Sequence, residues 1–559
     1  LDAILRTLWR MWVSQKRLLE WNPSVQQEHN HSDLIGAFRT MWFAPALAAA
    51  MVFTLCLTSQ EALCAAGPIL LLWFLSPAIS WWISRPLVRR EAKLKMEQIL
   101  FLRTLSRKTW AYFETFVGPE DHWLPPDNFQ EHPSPVVAHR TSPTNMGLSL
   151  LANLSAYDFG YLTAGQLIER TKNAFHTMEA LERHQGHFYN WYDTRSLKPL
   201  PPLYVSSVDS GNLAGHLLTL RPGLLALPDQ KIIGPRLFEG LGDTLKVLWD
   251  IMAAIPEMTS LVPLVKFTQL LEAASDSPPA NLATIRVCLK MLTESAAELA
   301  FECAGLADDP ESPLRAWART LAGQCRDALD ELTFLVPWTA GPQQPDDPVD
   351  LGKWDGIPTL RQLARLTDTE DLAAIGRRLD LDETIEERAR QKELRGSIAQ
   401  ASQHAKERIE VLERLAQQCS KLALIEYGFL FDKARNLLSI GYNVTERRQD
   451  SGFYDLLASE ARFSTFVAIA QGQLPQESWF ALGRLLTTTG GEPILLSWSG
   501  SMFEYLMPLL VMPMYEHSLL DQTCKAAVAS QIEYGSQRGV PWGSSESGYN
   551  AIDVHQSYQ

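Results

Sequence analysis

The 559 residues contain no CxxC pair, no low-complexity tract and no sustained run of lysine and arginine. They also lack GxxxxGK[ST] and any GxGxxG that follows a strand. Each absence argues against a class of function. The seven cysteines, at 56, 64, 288, 303, 325, 419 and 524, are odd in number and lack ligand spacing. Neither a disulfide framework nor a zinc site is indicated, and a reducing compartment fits. A net charge of −14 without a basic stripe argues against nucleic acid as a partner, because phosphate binding needs clustered cations. His139 and His187 have no partner at ligand spacing, so no metal is expected, and no other cofactor. Without a phosphate loop, any nucleotide-linked donor is expected to bind elsewhere.

What the chain does have begins with two apolar runs, Met41 to Thr58 and Gly67 to about residue 84, joined by a short loop with Glu61. Neither run contains a charge within its apolar stretch, and each approaches the roughly 20 residues that span a bilayer. A transmembrane helical hairpin is expected at about 41–58 and 67–84. Arg6, Arg10, Lys16, Arg17 and Arg39 precede it, and Arg85, Arg89, Arg90, Lys93 and Lys95 follow it. Basic residues stay on the cytoplasmic side, so both flanks are expected there. Trp81 and Trp82 would sit at the interface. Residues 1–30 read as an amphipathic helix, with Leu5, Leu8, Trp9, Trp12 and Val13 on one side, able to lie along the membrane surface. Residues 1–100 are therefore read as a membrane region. The chain starts at Leu1 rather than Met and its last stretch carries no obvious stop signal, so truncation at both ends is expected.

From about residue 101 the sequence reads mainly as α. Thr163 to Arg183, Thr384 to Ala423 and Tyr454 to Gln471 have helical periodicity, and alternating patterns are rare and short. About 225–435 is richer in charged helices and poorer in aromatic loops, and is read as a helical insertion without chemistry. Outside it, four clusters place polar and aromatic side chains in apolar surroundings. They are Trp123 to Asn145, Gly186 to Asn212, Tyr454 to Arg462, and the tail from Trp498 to Asn550. Long loops of this composition on a helical scaffold are where ligands bind.

Within these clusters HRTSPTN, GHFYNWYDT, YVSSVDSGNLAG, IGYNV, YDLLASEAR, WSGSMFEYLMP and PWGSSESGYN resemble the cyclic β-1,2-glucan synthases of bacterial inner membranes. The resemblance runs from about residue 100 to the end, with an interruption in the insertion. It implies a multi-pass inner-membrane protein whose catalytic domain faces the cytoplasm. It also implies an (α/α)₆ toroid over residues 101–559, incomplete at its C-terminus. An upstream glycosyltransferase domain and a downstream phosphorylase-like domain would be its partners within a longer chain. The implied activity is retaining transglycosylation that closes linear β-1,2-glucan into rings. An endo-β-1,2-glucanase-like hydrolase and a non-catalytic glucan-binding membrane scaffold are the alternatives.

The residues can also be read chemically. Retaining transfer needs one carboxylate to attack the anomeric carbon and a second carboxyl to protonate the leaving oxygen. Glu460, on an amphipathic helix near Arg462, and Glu546, in a Ser/Gly loop beside Trp542 and Tyr549, are the best pair. The resemblance supports both positions. Glu546 is assigned as nucleophile and Glu460 as acid/base, the order of roles being the weaker half. On spacing alone Glu460 could equally be an intrahelix ion-pair or surface carboxylate. Glu504, between Phe503 and Tyr505, is either a substrate contact or a buried hydrogen-bonded group. Asp209 reads as a helix cap that could also touch a sugar hydroxyl. Arg140, Trp191, Asp193, Trp498, Trp542 and Tyr549 are expected to line the cleft.

Overall fold

The computed structural model describes residues 7–14, 34–83, 93–131, 134–255, 262–306, 309–340, 356–367, 385–543 and 545. The chain divides into two units, Leu1–Lys93 and Leu94–Gln559.

In the first unit helix α1 (Phe43–Thr58) and helix α2 (Gln60–Ile83) are separated only by Ser59, whose extended backbone breaks the run. The second helix starts seven residues earlier than expected and takes in Glu61. An acidic residue in the first turn is favoured by the helix dipole. At 24 residues and a mean hydropathy of 2.0, α2 is the one helix among the described residues long and apolar enough to cross a membrane. The 16 residues of α1 are apolar but shorter. Thr54 and Thr58 return their hydroxyls to carbonyls of their own helix, at 3.0 and 2.8 Å. Of the amphipathic helix expected over residues 1–30, only 7–14 are described, with Leu8, Trp9, Trp12 and Val13 exposed. The basic residues 85, 89 and 90 lie outside the described residues.

The second unit is mostly helical. Its helices include α3 (Met96–Phe116), α4 (Pro143–Asp158), α5 (Ala164–Ala180), α6 (Ser207–Ala226), α7 (Arg236–Ala253), α8 (Val262–Asp276), α9 (Leu282–Leu306), α10 (Pro313–Leu335), α11 (Ile385–Ala423), α12 (Ala461–Ala470), α13 (Met502–Leu506) and α14 (Leu519–Arg538). Helix starts follow local chemistry. Ser142 caps α4 ahead of Pro143, Thr163 and Gln166 form a capping box on α5, and Ser206 caps α6. The strands are ribbons of two to four residues, among them β1 (Arg140–Thr141), β2 (Tyr192–Asp193), β3 (Tyr204–Ser206), β4 (Gly441–Asn443), β5 (Arg448–Gln449), β6 (Leu486–Thr489) and β7 (Glu492–Leu495). β1 pairs with β2, β4 lies between β3 and β5, and β6 pairs with β7, all antiparallel.

Helix α6 is the hub, packed against α4, α11 and α12. Its Gly211 and Gly215 permit the approach of α12. A Cβ at either position would stand 2.1 Å from Ser464 Cβ or Phe463 Cζ respectively. The principal core gathers Met146, Phe175, Leu217, Leu412 and Phe463 from these elements. A second core lies among α7 to α10, around Leu241, Phe267, Leu299 and Leu321. The region expected as one insertion, about 225–435, therefore divides. Helices α7–α10 enclose a core of their own, whereas α11 contributes Leu412, Leu415 and Cys419 to the principal one. Its long charged face is solvated, as its mixed-sign sequence suggests, but its apolar stripe is central.

Candidate active site

The sheet β3–β4–β5 delivers two of the site's side chains. Its register sets Tyr442 opposite Val205 and Asn443 opposite Tyr204. β3 ends at Ser206, whose hydroxyl accepts from Asp209 N–H at 3.1 Å and so opens α6 with Asp209 in its first turn. β5 leads into Asp450, whose carboxylate accepts the Tyr204 hydroxyl. Thr144 on α4 donates to Asp209 Oδ1 at 2.6 Å, and Asn212 donates to Thr144 at 3.1 Å. The Asn190 amide, turned to satisfy its neighbours, donates to Asp209 Oδ2 at 2.9 Å and accepts from Trp191 Nε1 at 3.2 Å. Burial outweighs these donors and raises the Asp209 carboxyl above its ordinary value. The cap of α6 is therefore Ser206, and Asp209, read from the sequence as the cap, stands in the first turn instead.

Glu460 stands at a break in the chain. Tyr454–Gln471 was expected to be helical throughout, but α12 begins only at Ala461. Asp455 Oδ1 accepts from Leu457 and Ala458 N–H, both at 2.9 Å, closing a local turn instead. Ser459 (φ 45°) and Glu460 (φ 59°) then adopt left-handed backbone. For residues other than glycine this costs roughly 1–3 kcal/mol each and persists only where the surroundings enforce it. Glu460 is therefore not on the helix but at its N-cap, buried at 4% exposure.

Tyr454 connects the two halves. Burial raises its hydroxyl to about 12, and Asp209, Glu460 and Asp450 all lie close enough to add to that rise. Its hydroxyl lies near the Ser459 side chain, which offsets part of that rise, and its ring meets that of Trp498 at 5.2 Å and 50°. Trp498 itself is 57% exposed. An aromatic face open to solvent beside three carboxylates is what a sugar ring requires. Asp450, Tyr204 and Tyr454 were not singled out from the sequence. Both tyrosines lay inside motifs, and Asp450 carried no local signal.

The remaining expected residues divide. Arg140 is 4% exposed, held to Asp127 Oδ2 at 3.0 and 3.2 Å, with its guanidinium 4.5 Å over the Trp191 ring. It fixes Trp191, and Trp191 in turn holds Asn190 on Asp209. Asp193 Oδ1 accepts from Arg195 N–H, Ser196 N–H and the Ser196 hydroxyl, at 3.1, 2.7 and 2.8 Å, which is turn chemistry. Glu504 was assigned to substrate, but it is 1% exposed, and protein donors approach both carboxylate oxygens. Arg462, buried with its pKa lowered by desolvation, donates to the carbonyls of Glu504 and Tyr505 at 2.8 and 2.7 Å. Trp542 is exposed. Its neighbour Gly543 donates to Gln531 Oε1 at 3.1 Å, while Gln531 Nε2 donates to Gly500 at 3.0 Å. The Trp542 segment is thus tied through α14 to the loop that carries Trp498. Glu546 and Tyr549 lie outside the described residues.

His139 and His187 are engaged by protein groups. His139 meets Asp121 at 2.8 Å, and His187 lies between the Ser210 hydroxyl and the Glu426 carbonyl, each at 2.8 Å. Burial lowers His187 to about 4.

No protein-family model matches the chain. Over 573 aligned positions, all of this chain, it is 36% identical to the cyclic beta-(1,2)-glucan synthase NdvB of Rhizobium meliloti (strain 1021). It spans 18% of that protein's length. The resemblance read from the motifs therefore holds, and it extends through the apolar helices and the charged region as well. Two solved structures of candidate glucoamylases, from Bacteroides fragilis and Bacteroides caccae, are each 17% identical. They cover 31% and 34% of this chain, and 41% and 50% of their own, with TM-scores of 0.20 and 0.19. Likenesses that slight carry no argument here.

Proposed function

We propose, with full-length relatedness to one stretch of a cyclic β-(1,2)-glucan synthase as the premise, that unit Leu94–Gln559 processes β-1,2-glucan. Its reaction is retaining transglycosylation, which joins one part of a linear chain to its own other end. The observation that carries the reading is Glu460: a buried carboxyl on an enforced turn, beside Tyr454, Asp209 and an open tryptophan. The relatedness supports the substrate class, and the burial and turn at Glu460 support its reading as the acid.

In this reading Glu546 attacks the anomeric carbon while Glu460 gives its proton to the departing glycosidic oxygen. The bond to the leaving fragment breaks and an ester to Glu546 forms. A hydroxyl at the far end of the retained chain then attacks that ester, returning a proton to Glu460 and freeing Glu546. Gly543 is tied through Gln531 to Gly500, on the loop that carries Trp498. Trp191, Trp498, Trp542 and Tyr549 offer faces to the sugar, with Arg140 and Asp193 shaping the wall.

The architecture proposed for this unit is an (α/α)₆ toroid. Helices α1 and α2 anchor the chain in a bacterial inner membrane, with the glucan-processing unit on the cytoplasmic side. A glycosyltransferase domain upstream and a phosphorylase-like domain downstream would act on the same glucan.

Incubation with linear β-1,2-glucan and mass analysis of the products tests this. Rings lack one water relative to linear chains of equal length. Glu460→Gln should slow their formation by roughly 10²–10⁴-fold, the usual contribution of a general acid. Unchanged ring formation by that variant overturns the reading, and linear products alone from the wild type would mean hydrolysis.

A further inference from the structure

We infer that Glu504 is a positioning residue, holding the Ser459–Glu460 turn from the same loop that presents Trp498. The inference rests on the reading of Glu460 as the acid.

Two consecutive left-handed residues do not hold themselves. The peptide N–H of Ser459 donates to Glu504 Oε1 at 3.0 Å. The other oxygen, Oε2, accepts the Ser497 hydroxyl and the Ser499 N–H, the latter at 3.1 Å. Each oxygen therefore faces a different segment, and the carboxylate is a rigid link between them. Such a group is tolerated inside a protein only where donors saturate it. At 1% exposure it is closed to a sugar. Ser501 caps the short helix that carries it, through Glu504 N–H at 3.3 Å, and Arg462 grips the far end through the carbonyls of Glu504 and Tyr505.

The loop Ser497–Ser501 reaches the turn a second way. Trp498 lies against Tyr454, whose hydroxyl is near the Ser459 side chain. One path ends on the backbone of Ser459 and the other on its side chain. A sugar resting on Trp498 therefore bears on the same loop that sets the direction of Glu460. Glu504 acts through Glu460 and touches no reacting atom.

Steady-state kinetics on linear β-1,2-glucan, with thermal unfolding of each variant, test this. Glu504→Gln preserves size but offers only one oxygen, so one of the two segments loses its acceptor. Its kcat should fall about 10²-fold, the effect of a small misplacement of a reacting group, while KM stays within about threefold. A folded Glu504→Gln with the wild-type kcat overturns the inference. If that variant does not fold, Ser497→Ala decides, because it removes a single donor to Oε2. A drop of about tenfold in kcat at constant KM supports the link, whereas wild-type kcat, or a change confined to KM, overturns it. Glu460→Gln is run in parallel. If it stays active, the reading of Glu460 fails. If it is inactive while Glu504→Gln turns over normally, only the positioning role fails.

Discussion

Asp209 and Tyr454 are both pushed upward by burial, and the two rises have different consequences. Tyr454, near 12, keeps its proton throughout the neutral range and remains a donor. Tyr454→Phe retains the ring against Trp498 but loses the hydroxyl that stands near Ser459, Asp209 and Glu460, so ring formation should slow about tenfold with little change in unfolding midpoint. For Asp209 the folded pKa lies above the unfolded one. Its contribution to stability is then fully present below the ordinary carboxylate range and is lost as pH rises through the raised value. Asp209→Asn removes that dependence. Unfolding midpoints measured at about pH 3.5 and about pH 7 should shift in relative terms from favouring the wild type toward favouring the variant. A constant difference across that interval would contradict the raised value.

At the level of elements, the contact between α6 and α12 places Asp209, in the first turn of one, and Glu460, at the N-cap of the other, in one neighbourhood. It depends on the absence of side chains at Gly211 and Gly215. Gly211→Ala drives a methyl into Ser464, for which overpacking costs of about 1–3 kcal/mol are typical. The expected result is a lower unfolding midpoint together with reduced turnover, since the two helix starts must separate. The glycines were visible in YVSSVDSGNLAG, but their partner on α12 was not, because the contact spans about 250 residues of chain. Helix content followed from periodicity, and α11 ends at Ala423 as expected. Periodicity failed at Tyr454–Glu460, where one carboxylate, Asp455, supplies two backbone bonds and redirects the chain. It also hid the role of Glu504. Apolar neighbours announced a buried carboxylate, yet its donors sit on serines from two loops that only the fold brings together.

Across the whole molecule, every described residue of the candidate site belongs to Leu94–Gln559. Deleting residues 1–93 should therefore leave the masses of glucan products unchanged while moving the protein out of the carbonate-resistant membrane fraction. Retention in that fraction would place the anchor elsewhere. The released unit should still need detergent, because Leu94, Met96, Leu100, Phe101 and Leu105 are exposed along the first half of α3. Composition and motifs made the division into an apolar beginning and a helical remainder legible. They did not reveal that the remainder encloses separate cores, because the two largest are built from the same aliphatic repertoire.

Helix α3 is bolted to α7. Arg103 pairs with Asp243 and Glu239, each at 2.9 Å, and the fully buried Arg107 donates to Thr244 at 2.8 Å. Tension entering at the N-terminal end of α3, as from a thermally undulating bilayer, meets these rivets before it meets the turn that bears Glu460. The α7–α10 bundle is thus the first to take up a load on α3, through these pairs.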